Sequence, residues 1–523
     1  MPDEGDHNGL SRSGGATADF EYYNAFESVG MGYVAAALRQ SGAGVELLDG
    51  TVDPLGVDGL VEQALTLNPR MVGFSILWDG YDDVREMCRK LREGGYGGHI
   101  TVGQHFATFN YERVLNDVPE MDSVVRFEGE ETAVELLERV RAGASLEGMA
   151  GLATRVDGKV VAGCPRRLVP DLDALPFPAR DVMARQPERF PQVTLSGSRG
   201  CPWRCRFCTI TTFYKTPPGK IFRHRSPENI ADEMEELGRR FGKRNFVFTD
   251  DQFLGSGNNG RRFARGFAEE LIRRKLDVGF YLGTRADSVR EDVFALLVEA
   301  GLTDVFLGVE SGYQPTLDYY RKDIAVETQR DAILTLQRLG VNLHLGFIMF
   351  HERSTLEEVK ANLDFLRTVR KMSWEGPGMF FGDLSIFAGS SFMEDEAPVE
   401  LSPEQSYKRQ WDIADPNARH YRGVMRQVLS PLATPFQNLS LQRNRGSVPE
   451  SVLKPVEDDM REFTFHVAQD VLDRVERAPL TGAEVRALAE QVEGRATRMQ
   501  IALEVAQMLC NRDAPPTRAG GLL

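Results

Sequence analysis

The chain has 523 residues and a formal net charge of −15, with 62 Lys and Arg against 77 Asp and Glu. At roughly 100–200 residues per domain, this length predicts about three domains. Hydrophobic residues make up 42% and charged residues 27%, as is typical of a globular protein. The negative balance argues against a protein whose whole surface binds nucleic acid or an anionic membrane, because such binding needs clustered positive charge.

The pattern at the beginning of the sequence predicts no export or membrane signal. Residues 1–19 are polar and rich in Gly and Ser, which predicts a flexible tail. They contain no apolar core of a secretory signal, and nowhere along the chain is there an apolar run of the roughly 18 residues that a membrane span needs. We therefore expect a cytoplasmic protein without a membrane partner.

Residues 20–150 alternate short apolar runs with amphipathic stretches. The runs predict strands at 44–49, 71–77, 99–103 and 123–127. The stretches predict helices at 57–67, 82–93 and 132–141. This alternation is typical of an α/β domain with a parallel, doubly wound, Rossmann-like sheet, whose ligands lie beyond the carboxyl ends of the strands. No first strand is evident before Gly30.

Residues 151–190 predict a linker. A hairpin with its turn at Asp157-Gly158 is followed by Pro176 and Pro178, and two prolines so close together favour extended backbone. Such a segment connects two domains.

A second series of strands and helices occupies residues 191–395. Ser226 followed by Pro227 marks the start of one helix, because serine caps the free amide groups and proline suits the first turn. Six strands are predicted, at 192–196, 245–249, 278–283, 304–308, 342–349 and 379–385. Six strands with intervening helices are enough for a partial (β/α)6 barrel of the TIM type.

The strand pattern disappears in residues 396–523, which predict a C-terminal α-helical domain. One helical stripe consists of Val456, Met460, Phe463, Val467, Val471 and Val475. Thr481 and Glu484 form the capping-box pattern that opens another helix. A packing role without chemistry is the simplest interpretation of this region.

The six cysteines are unevenly distributed along the chain. Cys201, Cys205 and Cys208 form a CxxxCxxC motif directly after a predicted strand, whereas the other three are scattered. Thiolates are soft ligands that favour iron–sulfur clusters, zinc or copper(I). Structural zinc normally takes four protein ligands, and no second pair completes such a set here. Three cysteines can hold three irons of a cubane and leave the fourth open, and a chance cluster of buried cysteines is the alternative.

With Phe207 before its last cysteine, the motif resembles the signature of the radical S-adenosylmethionine (SAM) superfamily. The resemblance extends over residues 191–395, although the Gly-x-Pro-Gly-Glu expected after the fifth strand is replaced by residues 350–354. It implies a [4Fe–4S] cluster whose open iron chelates SAM, with Phe207 against the adenine. The implied contacts at the strand ends are Asp250, Arg285 and Glu310. Arg285 suits a carboxylate and Glu310 suits hydroxyl groups, with surface ion pairs as the alternative for both.

The amino-terminal region resembles the cobalamin-binding domain that precedes the barrel in one branch of this superfamily. The matching segments are 30–38, 101–108 and 127–130, together with the connector 172–178. The resemblance implies cobalamin as a third cofactor. The candidate cobalamin contacts are Ser75, Trp78, Asp79, Gly103, Gln104, Glu128 and Gly129.

The DxHxxG motif that places a histidine beneath cobalt is absent. His105 lies in the wrong loop for that role and is expected to be a structural hydrogen-bonding residue. By the family resemblance, Trp78 is the candidate for the position below cobalt, with packing between domains as the alternative. Glu128 and Gly129 are candidates for contact with the nucleotide tail of cobalamin.

These resemblances imply a cobalamin-dependent radical SAM C-methyltransferase. A radical made from SAM would abstract hydrogen from an unactivated or aromatic carbon, which would then take a methyl group from methylcobalamin. Two alternatives remain open: a radical rearrangement or cyclisation with the same cofactors, and a non-catalytic iron–sulfur or corrinoid sensor. The implied partners are a small-molecule substrate and an external one-electron reductant of the flavodoxin or ferredoxin type, without nucleic acid.

The substrate is not encoded in any readable motif. Lysine is rare, with eleven against 51 arginines, which hints at a GC-rich genome and, by association, at antibiotic biosynthesis. Aromatic residues that could line a substrate cleft, or equally pack the core, are Tyr214, Trp374, Phe380 and Phe381. We expect a small natural-product intermediate.

Overall fold

The computed structural model describes residues 26–369, 376–394, 411–445 and 448–513, apart from positions 51, 53, 54, 78 and 79. The chain forms two compact units. The first contains the chain up to Pro202, Thr209–Leu282 and Glu299–Gly301. The second contains Trp203–Cys208, Gly283–Val298 and the chain from Leu302 onward. The division therefore passes through the second series of strands and through the cysteine motif.

A five-stranded sheet organises the amino-terminal part of the first unit. In hydrogen-bonded order its strands are β1 (Met71–Ser75), β2 (His99–Gly103), β3 (Ser123–Val125), β4 (Leu152–Val156) and β5 (Lys159–Ala162). The helices are α1 (Val29–Gln40), α2 (Gly56–Leu67), α3 (Tyr81–Glu93), α4 (His105–Phe109), α5 (Tyr111–Asp117) and α6 (Glu130–Ala142). Strands β1, β2 and β3 are parallel and are joined by helices, so the predicted Rossmann-like arrangement is confirmed.

One predicted strand, at 44–49, is wrong: no sheet pairing forms there among the described residues. Arginine side chains instead satisfy two of its backbone carbonyl groups. Arg39 donates to the carbonyl oxygen of Val45 at 2.7 Å, and Arg185 donates to that of Leu47 at 3.0 Å. Since these carbonyl groups are satisfied by guanidinium groups, the apolar run packs without a β-ladder.

The predicted hairpin at Asp157-Gly158 is confirmed. Strands β4 and β5 are antiparallel, and both turn residues have positive φ, +49° and +77°, as a two-residue turn of type I′ requires. Strand β4 also pairs antiparallel with β3. The hairpin within the segment expected as a linker thus extends the amino-terminal sheet by two strands.

The first unit also contains the beginning of the second series. Its strands are β6 (Val193–Leu195), β7 (Ser198–Arg199), β8 (Arg223–His224), β9 (Asn245–Phe248) and the first part of β10 (Gly279–Arg285). Strand β9 pairs in parallel with β6 and β10, and β7 pairs antiparallel with β8. The helices are α7 (Asp181–Arg185), α8 (Ile210–Lys215), α9 (Pro227–Phe241) and α10 (Gly257–Arg274).

Local sequence explains how this part folds. Ser226 accepts a hydrogen bond from the amide of Asn229 at 3.1 Å, so α9 begins at the predicted cap. Phe267 of α10 meets Phe248 and Phe280 edge-on, with ring centroids 5.6 and 5.5 Å away. These buried rings form the core between α10 and the strands, and they fix the strand ends that follow.

The second unit contains the remaining strands, β11 (Leu302–Glu310) and β12 (Asn342–Phe347), which are parallel. Its helices up to residue 394 are α11 (Glu291–Glu299), α12 (Gln314–Tyr319), α13 (Val326–Arg338), α14 (Leu356–Thr368) and α15 (Ser391–Glu394). The sixth predicted strand, at 379–385, is wrong as a full strand and is reduced to a parallel bridge between Phe350 and Asp383. Its first residues belong to the 3₁₀ turn Pro377–Phe380, because Pro377 fits the first turn of a helix and cannot donate to a ladder.

The C-terminal region is helical, as predicted. Its helices are α16 (Pro416–Leu429), α17 (Ala433–Arg445), α18 (Glu450–Val475) and α19 (Gly482–Asp513). The capping box is confirmed, since the amide of Thr481 donates to Glu484 at 2.8 Å. Among the described helices, none combines the length and apolar character that a bilayer crossing demands.

Candidate metal centre and cofactor-binding residues

The three cysteines of the motif lie on the loop after β7. Cys201, Cys205 and Cys208 are half-buried, and none of them forms a disulfide. The preceding Gly200 has a φ of +86°, and a Cβ there would lie 2.1 Å from the carbonyl oxygen of Ile221, so only glycine fits. No group of three or more His, Cys, Asp or Glu side chains in the described chain surrounds a point as a single metal ion requires. Three thiols on one loop are a donor set that fits an iron–sulfur cluster.

Buried ion pairs hold β7, the strand before the first cysteine. Arg199 donates to Glu128 at 3.2 Å and to Glu130 at 2.5 Å. Arg223, the partner of Arg199 in β8, donates to both carboxylate oxygens of Glu128 at 2.8 and 3.0 Å. Burial by itself would raise the pKa of Glu128, but the hydrogen bonds from Arg223 and the charge of Arg199 hold it below its usual range. Glu128 is therefore an ionised, paired carboxylate.

Arg206, between the second and third cysteines, is held within the second unit. Its amide donates to the carbonyl oxygen of Tyr320 at 2.9 Å. Its guanidinium group lies over the rings of Phe392 and Tyr319, 4.3 and 4.9 Å from their centroids. The ring of the predicted adenine contact, Phe207, meets Tyr320 edge-on at 5.4 Å. Backbone and ring contacts therefore fix Arg206 and Phe207 within the loop.

Arg285 lies beside the second cysteine and is buried. Its guanidinium group is 3.5 Å from Sγ of Cys205 and 4.0 Å from the ring centroid of Trp203. It also donates to Asp287 at 3.0 Å and to the carbonyl oxygen of Lys322 at 2.6 Å. Arg285 thus contacts the cysteine loop directly.

Glu310 stands at the end of β11 in a strained conformation. Its φ is +70°, which costs a non-glycine residue on the order of 1 kcal/mol. The buried Lys322 donates to its Oε1 at 3.0 Å. A Cβ at Gly308 would lie 2.9 Å from the same oxygen, so this glycine leaves room for the carboxylate. The second unit therefore brings Arg285, Lys322 and Glu310 together.

Asp250 and Asp251 follow β9 in the first unit. Oδ2 of Asp250 accepts a hydrogen bond from the amide of Gly197 at 3.0 Å, whereas its Oδ1 has no hydrogen-bond partner among the described residues. Desolvation raises the pKa of Asp250 to about 6. Desolvation, together with the charge of Asp250, raises the pKa of Asp251 to about 7, although Asp251 remains accessible to water. Two adjacent carboxylates of this kind favour a positively charged ligand group.

The carboxyl ends of β1 and β2 carry several candidate cobalamin contacts. Ser75 and Gly103 are register partners at these ends. Gln104 follows with a φ of +91°, and its side-chain oxygen accepts from the amide of His105 at 3.0 Å. Two further candidates, Trp78 and Asp79, lie outside the described residues.

The imidazole ring of His105 is fixed by its neighbours. Nδ1 lies 2.8 Å from the side-chain oxygen of Gln104, and the ring stacks on Phe213 with centroids 4.0 Å apart. Burial lowers the pKa of His105 to about 4, so the ring is neutral. These contacts agree with the structural role expected from the sequence.

The segment after β3 links the sheet to the cysteine loop. Phe127 has a φ of +65°, and its amide donates to Oγ1 of Thr108 at 3.0 Å. The next residue, Glu128, directs its carboxylate to the arginines of β7 and β8, and Gly129 precedes the first turn of α6. Of the two candidates for the nucleotide tail, Glu128 therefore has its carboxylate engaged within the protein.

The aromatic residues proposed for a cleft lie in different surroundings. Tyr214 is buried against Phe213, with ring centroids 5.0 Å apart. Phe380 is buried and meets Phe465 edge-on at 4.9 Å. Phe381 ends the 3₁₀ turn before the parallel bridge, and Trp374 lies outside the described residues. Tyr214 and Phe380 thus have core contacts.

Sequence reasoning did not identify Lys322, Arg199 or Arg223 as site residues. Arg199 stands two positions before Cys201, and this adjacency was a usable signal. Lys322 and Arg223 carry no local pattern that distinguishes them from surface cations. Their burial, 2% and 3% exposed, is what marks them, and it depends on tertiary contacts.

Comparisons with known protein families assign the cysteine loop and the amino-terminal sheet to two different family models. Residues 195–366 match the sequence model of the Radical SAM superfamily. Residues 18–137 match that of the B12 binding domain. The first range contains the cysteine loop and Glu310, and the second contains β1 to β3 and Glu128.

Two similar proteins have named activities. An uncharacterized methyltransferase of Pyrococcus horikoshii is 27% identical over 346 residues, covering 65% of this chain and 72% of that protein. An anaerobic magnesium-protoporphyrin IX monomethyl ester cyclase of Rubrivivax gelatinosus is 28% identical over 428 residues, covering 78% and 73%. The relatives thus include both methyl transfer and ring formation.

The fold is similar to that of a solved structure, the cobalamin-dependent S-adenosylmethionine radical enzyme OxsB with aqua-cobalamin bound. The TM-score is 0.73 at 18% sequence identity, covering 94% of this chain and 79% of that one. At this identity the likeness concerns the fold alone. It confirms the expected α/β class, with a Rossmann-like amino-terminal domain, a parallel β/α region and a helical C-terminal region.

Proposed function

Because this chain belongs to the cobalamin-dependent radical SAM enzymes, with a [4Fe–4S] cluster, SAM and cobalamin as cofactors, we propose that it is a C-methyltransferase. Its substrate would be a small natural-product intermediate, methylated at an unactivated or aromatic carbon, in antibiotic biosynthesis or a comparable pathway. The relative named as a methyltransferase supports this proposal. The electron would come from an external reductant of the flavodoxin or ferredoxin type.

In this proposal Cys201, Cys205 and Cys208 hold the cluster. When bound, the cluster and SAM supply a carbon radical, and cobalamin supplies the methyl group. Arg285 lies beside this set of ligands, since its guanidinium group is 3.5 Å from the sulfur of Cys205. The tightly packed glycine before the first cysteine fixes where the loop begins.

Three charged residues among the proposed SAM contacts are opposite in charge to the groups of SAM that they would bind. Arg285 and Lys322 are buried cations suited to a carboxylate, and Asp250 has an oxygen available for an ammonium group. Glu310 can accept hydrogen bonds from ribose hydroxyls. Phe207 offers an apolar ring for the adenine. Ser75, Gly103, Gln104 and Gly129, at the carboxyl ends of three parallel strands, are the proposed cobalamin contacts, together with Trp78 and Asp79.

One observation carries the proposal: Arg199, two residues before Cys201, is paired with Glu128, which follows the third strand of the amino-terminal sheet. Both residues lie in the first unit. Methyl transfer by radical chemistry needs the target carbon within reach of both cofactors. A cysteine loop anchored on the cobalamin-binding part of the chain fits that need.

The second candidate function is a radical cyclisation or rearrangement with the same cofactors. The relative named as a cyclase favours it, because its matched region covers 78% of this chain. In that reaction the methyl group of SAM would not enter the product. The two candidates therefore differ in the fate of one group.

SAM labelled with a trideuterated methyl group distinguishes them. The full chain is reconstituted anaerobically with iron, sulfide and hydroxocobalamin and is then reduced. The substrate comes from a small-molecule extract, prepared from a strain of the source organism in which this gene is deleted. If the enzyme is a methyltransferase, one metabolite gains a methyl group with all three deuterium atoms, and 5′-deoxyadenosine is formed. A new metabolite without label would contradict the methyltransferase proposal and support cyclisation or rearrangement.

Cysteine variants provide the matched control. Cys205→Ala is expected to abolish the labelled product and the release of 5′-deoxyadenosine. Cys164→Ala, at an exposed cysteine outside the loop, is expected to leave both unchanged. Iron content measured on the same samples checks that the loss follows the cluster.

A further inference from the structure

Glu128 connects two parts of the first unit that the sequence separates. Its carboxylate is 7% exposed and accepts hydrogen bonds from Arg223 at 2.8 Å, Arg199 at 3.2 Å and the amide of Val169 at 2.7 Å. Charge-assisted bonds of this kind, shielded from water, are strong and directional. The orientation of Glu128 and that of the two arginines therefore depend on each other.

On the other side of this contact, Arg199 leads into the cysteine loop. It is held by Glu130 at 2.5 Å and lies over the ring of Tyr33, 5.0 Å from the centroid. The next residue, Gly200, has no room for even a methyl group beside Ile221. A shift of Arg199 is therefore passed along a closely packed backbone to Cys201, one residue further on.

The backbone of Glu128 belongs to the edge proposed for cobalamin. The strained Phe127 before it is held by Thr108, a residue of the short helix after β2, and Gly129 after it starts α6. A ligand seated on the ends of β2 and β3 therefore contacts the segment whose side chain binds Arg199. The strain at Phe127 shows that this conformation is imposed by its surroundings.

From these contacts we propose that Glu128 is a positioning residue that couples the occupancy of the cobalamin site to the placement of the cluster loop. Binding at the strand ends orders Glu128, and Glu128 orders Arg199 and the start of the loop. The same coupling works in reverse, since a linkage between two sites is reciprocal. This proposal rests on the cofactor sites described above and is independent of whether the reaction is methyl transfer or cyclisation.

The experiment measures cobalamin affinity with and without the cluster. Hydroxocobalamin is titrated anaerobically into the full chain, once reconstituted with iron and sulfide and once free of iron, and binding is followed by its optical spectrum. In the wild type, the reconstituted protein is expected to bind hydroxocobalamin about tenfold more tightly than the iron-free protein does, which is a typical coupling between two sites. In Glu128→Gln the ratio of the two affinities is expected to fall to about one.

A structural role alone would lower both affinities and leave their ratio unchanged. A wild-type ratio of one, or a Glu128→Gln ratio equal to that of the wild type, overturns the proposal. Glu131→Gln is the matched control: this glutamate lies in the first turn of α6, three residues after Glu128, with a side chain 57% exposed and 3.9 Å from Arg166, and its substitution should keep the wild-type ratio.

Glu130→Gln is the second variant, for the case in which Glu128→Gln does not fold. It removes one carboxylate from Arg199 and leaves the pair of Glu128 with Arg223 in place. Its ratio of affinities is expected to lie between those of the wild type and one. Thermal unfolding identifies which variants are folded, and a folded Glu130→Gln with an unchanged ratio contradicts the proposal.

Discussion

At the scale of single residues, the candidate site contains cations that the protein itself neutralises and two adjacent carboxylates, Asp250 and Asp251, whose pKa values are raised. Arg199 and Lys322 each have a carboxylate within 3.0 Å. Asp250 instead has one oxygen bound to a backbone amide and one without a hydrogen-bond partner in the described part of the chain. An acid in such surroundings is less stable in its charged form, so its protonation is linked to folding.

The pH dependence of stability should report this linkage. Burial raises the pKa of Asp250 to about 6, from an ordinary value of 3.8. Because the folded-state pKa is the higher one, Asp250 contributes stability below pH 4 that is lost as the pH rises to about 6. Asp250→Asn, which cannot ionise, should be more stable than the wild type at pH 8 by on the order of 1–2 kcal/mol, since Asp250 is only partly shielded from water. At pH 4 this gain should be absent.

Urea unfolding of the cofactor-free protein at the two pH values measures this difference. Asp331→Asn is the control, because Asp331 is exposed on α13, and it should give the same stability difference at both pH values. A gain for Asp250→Asn that is equally large at pH 4 would show that the substitution acts through packing rather than through ionisation.

At the scale of elements, the packing of α1 depends on one glycine. A Cβ at Gly32 would lie 2.8 Å from the carbonyl oxygen of Ala179 and 2.9 Å from the Cβ of Pro178. The amide of Ala179 donates to the carbonyl oxygen of Gly32 at 3.0 Å, so backbone meets backbone here. At Gly30, in the same helix, a Cβ would meet nothing within 4 Å.

The two glycines should therefore respond oppositely to alanine. Gly32→Ala should lower the free energy of unfolding by about 1–3 kcal/mol, because helix and connector must separate to admit the methyl group. Gly30→Ala should raise it by a few tenths to about 1 kcal/mol, through the higher helix propensity of alanine. Chemical denaturation followed by circular dichroism compares them. Equal effects of the two substitutions would mean that the contact with the connector does not restrict this helix.

Elements with strong local patterns could be predicted from the sequence. The hairpin at Asp157-Gly158 and the helix start at Ser226 follow from turn and cap chemistry, which acts between near neighbours. Residues 44–49 have a strand pattern, yet arginine side chains bind two of their carbonyl groups. Residues 379–385 have one too, yet Pro377 begins a 3₁₀ turn ahead of it. Tertiary contacts in the first case and the backbone chemistry of proline in the second therefore explain why these segments do not form the predicted strands.

The residues of the candidate site likewise divide into those that the sequence predicts and those that it does not. The cysteines are predictable because their ligand chemistry is expressed in a spacing of a few residues. The partners of Glu128 are not, since Arg199 and Arg223 are 71 and 95 residues away in the sequence. A glutamate at a strand end is compatible with a ligand contact or with an internal ion pair, and only the three-dimensional arrangement separates the two.

At the scale of the whole molecule, buried ion pairs join segments that the sequence assigns to different domains. Arg180, from the connector, donates to Glu27 before α1 at 3.3 Å and to Glu233 of α9 at 2.8 Å. It also donates to the carbonyl oxygen of Thr194 in β6 at 2.8 Å. All these residues belong to the first unit, so this unit extends across the predicted domain boundaries. We expect the amino-terminal sheet and strands β6 and β9 to unfold together.

Arg180→Met tests this expectation. The side chains of Arg180, Glu27 and Glu233 are 3–6% exposed, and removing one partner of a buried ion pair typically costs about 3–5 kcal/mol. Glu233 keeps Arg225 at 2.5 Å, whereas Glu27 loses its charged partner. Burial already raises the pKa of Glu27, despite the opposing charge of Arg180, and the substitution should raise it further. The variant should therefore lose more stability at pH 8 than at pH 5, where Glu27 can take up a proton.

Arg240→Met is the matched control, because Arg240 pairs with Glu236 at 2.8 Å but both side chains are at least one-third exposed. Such a pair contributes about 0–1 kcal/mol, so this variant should unfold close to the wild type. Hydrogen exchange, followed by mass spectrometry, resolves where Arg180→Met acts. Faster exchange in both the amino-terminal sheet and β9 is the expected result, since Arg180 binds elements next to each. Faster exchange confined to the connector would mean that the two parts fold independently and that the buried pairs merely join them.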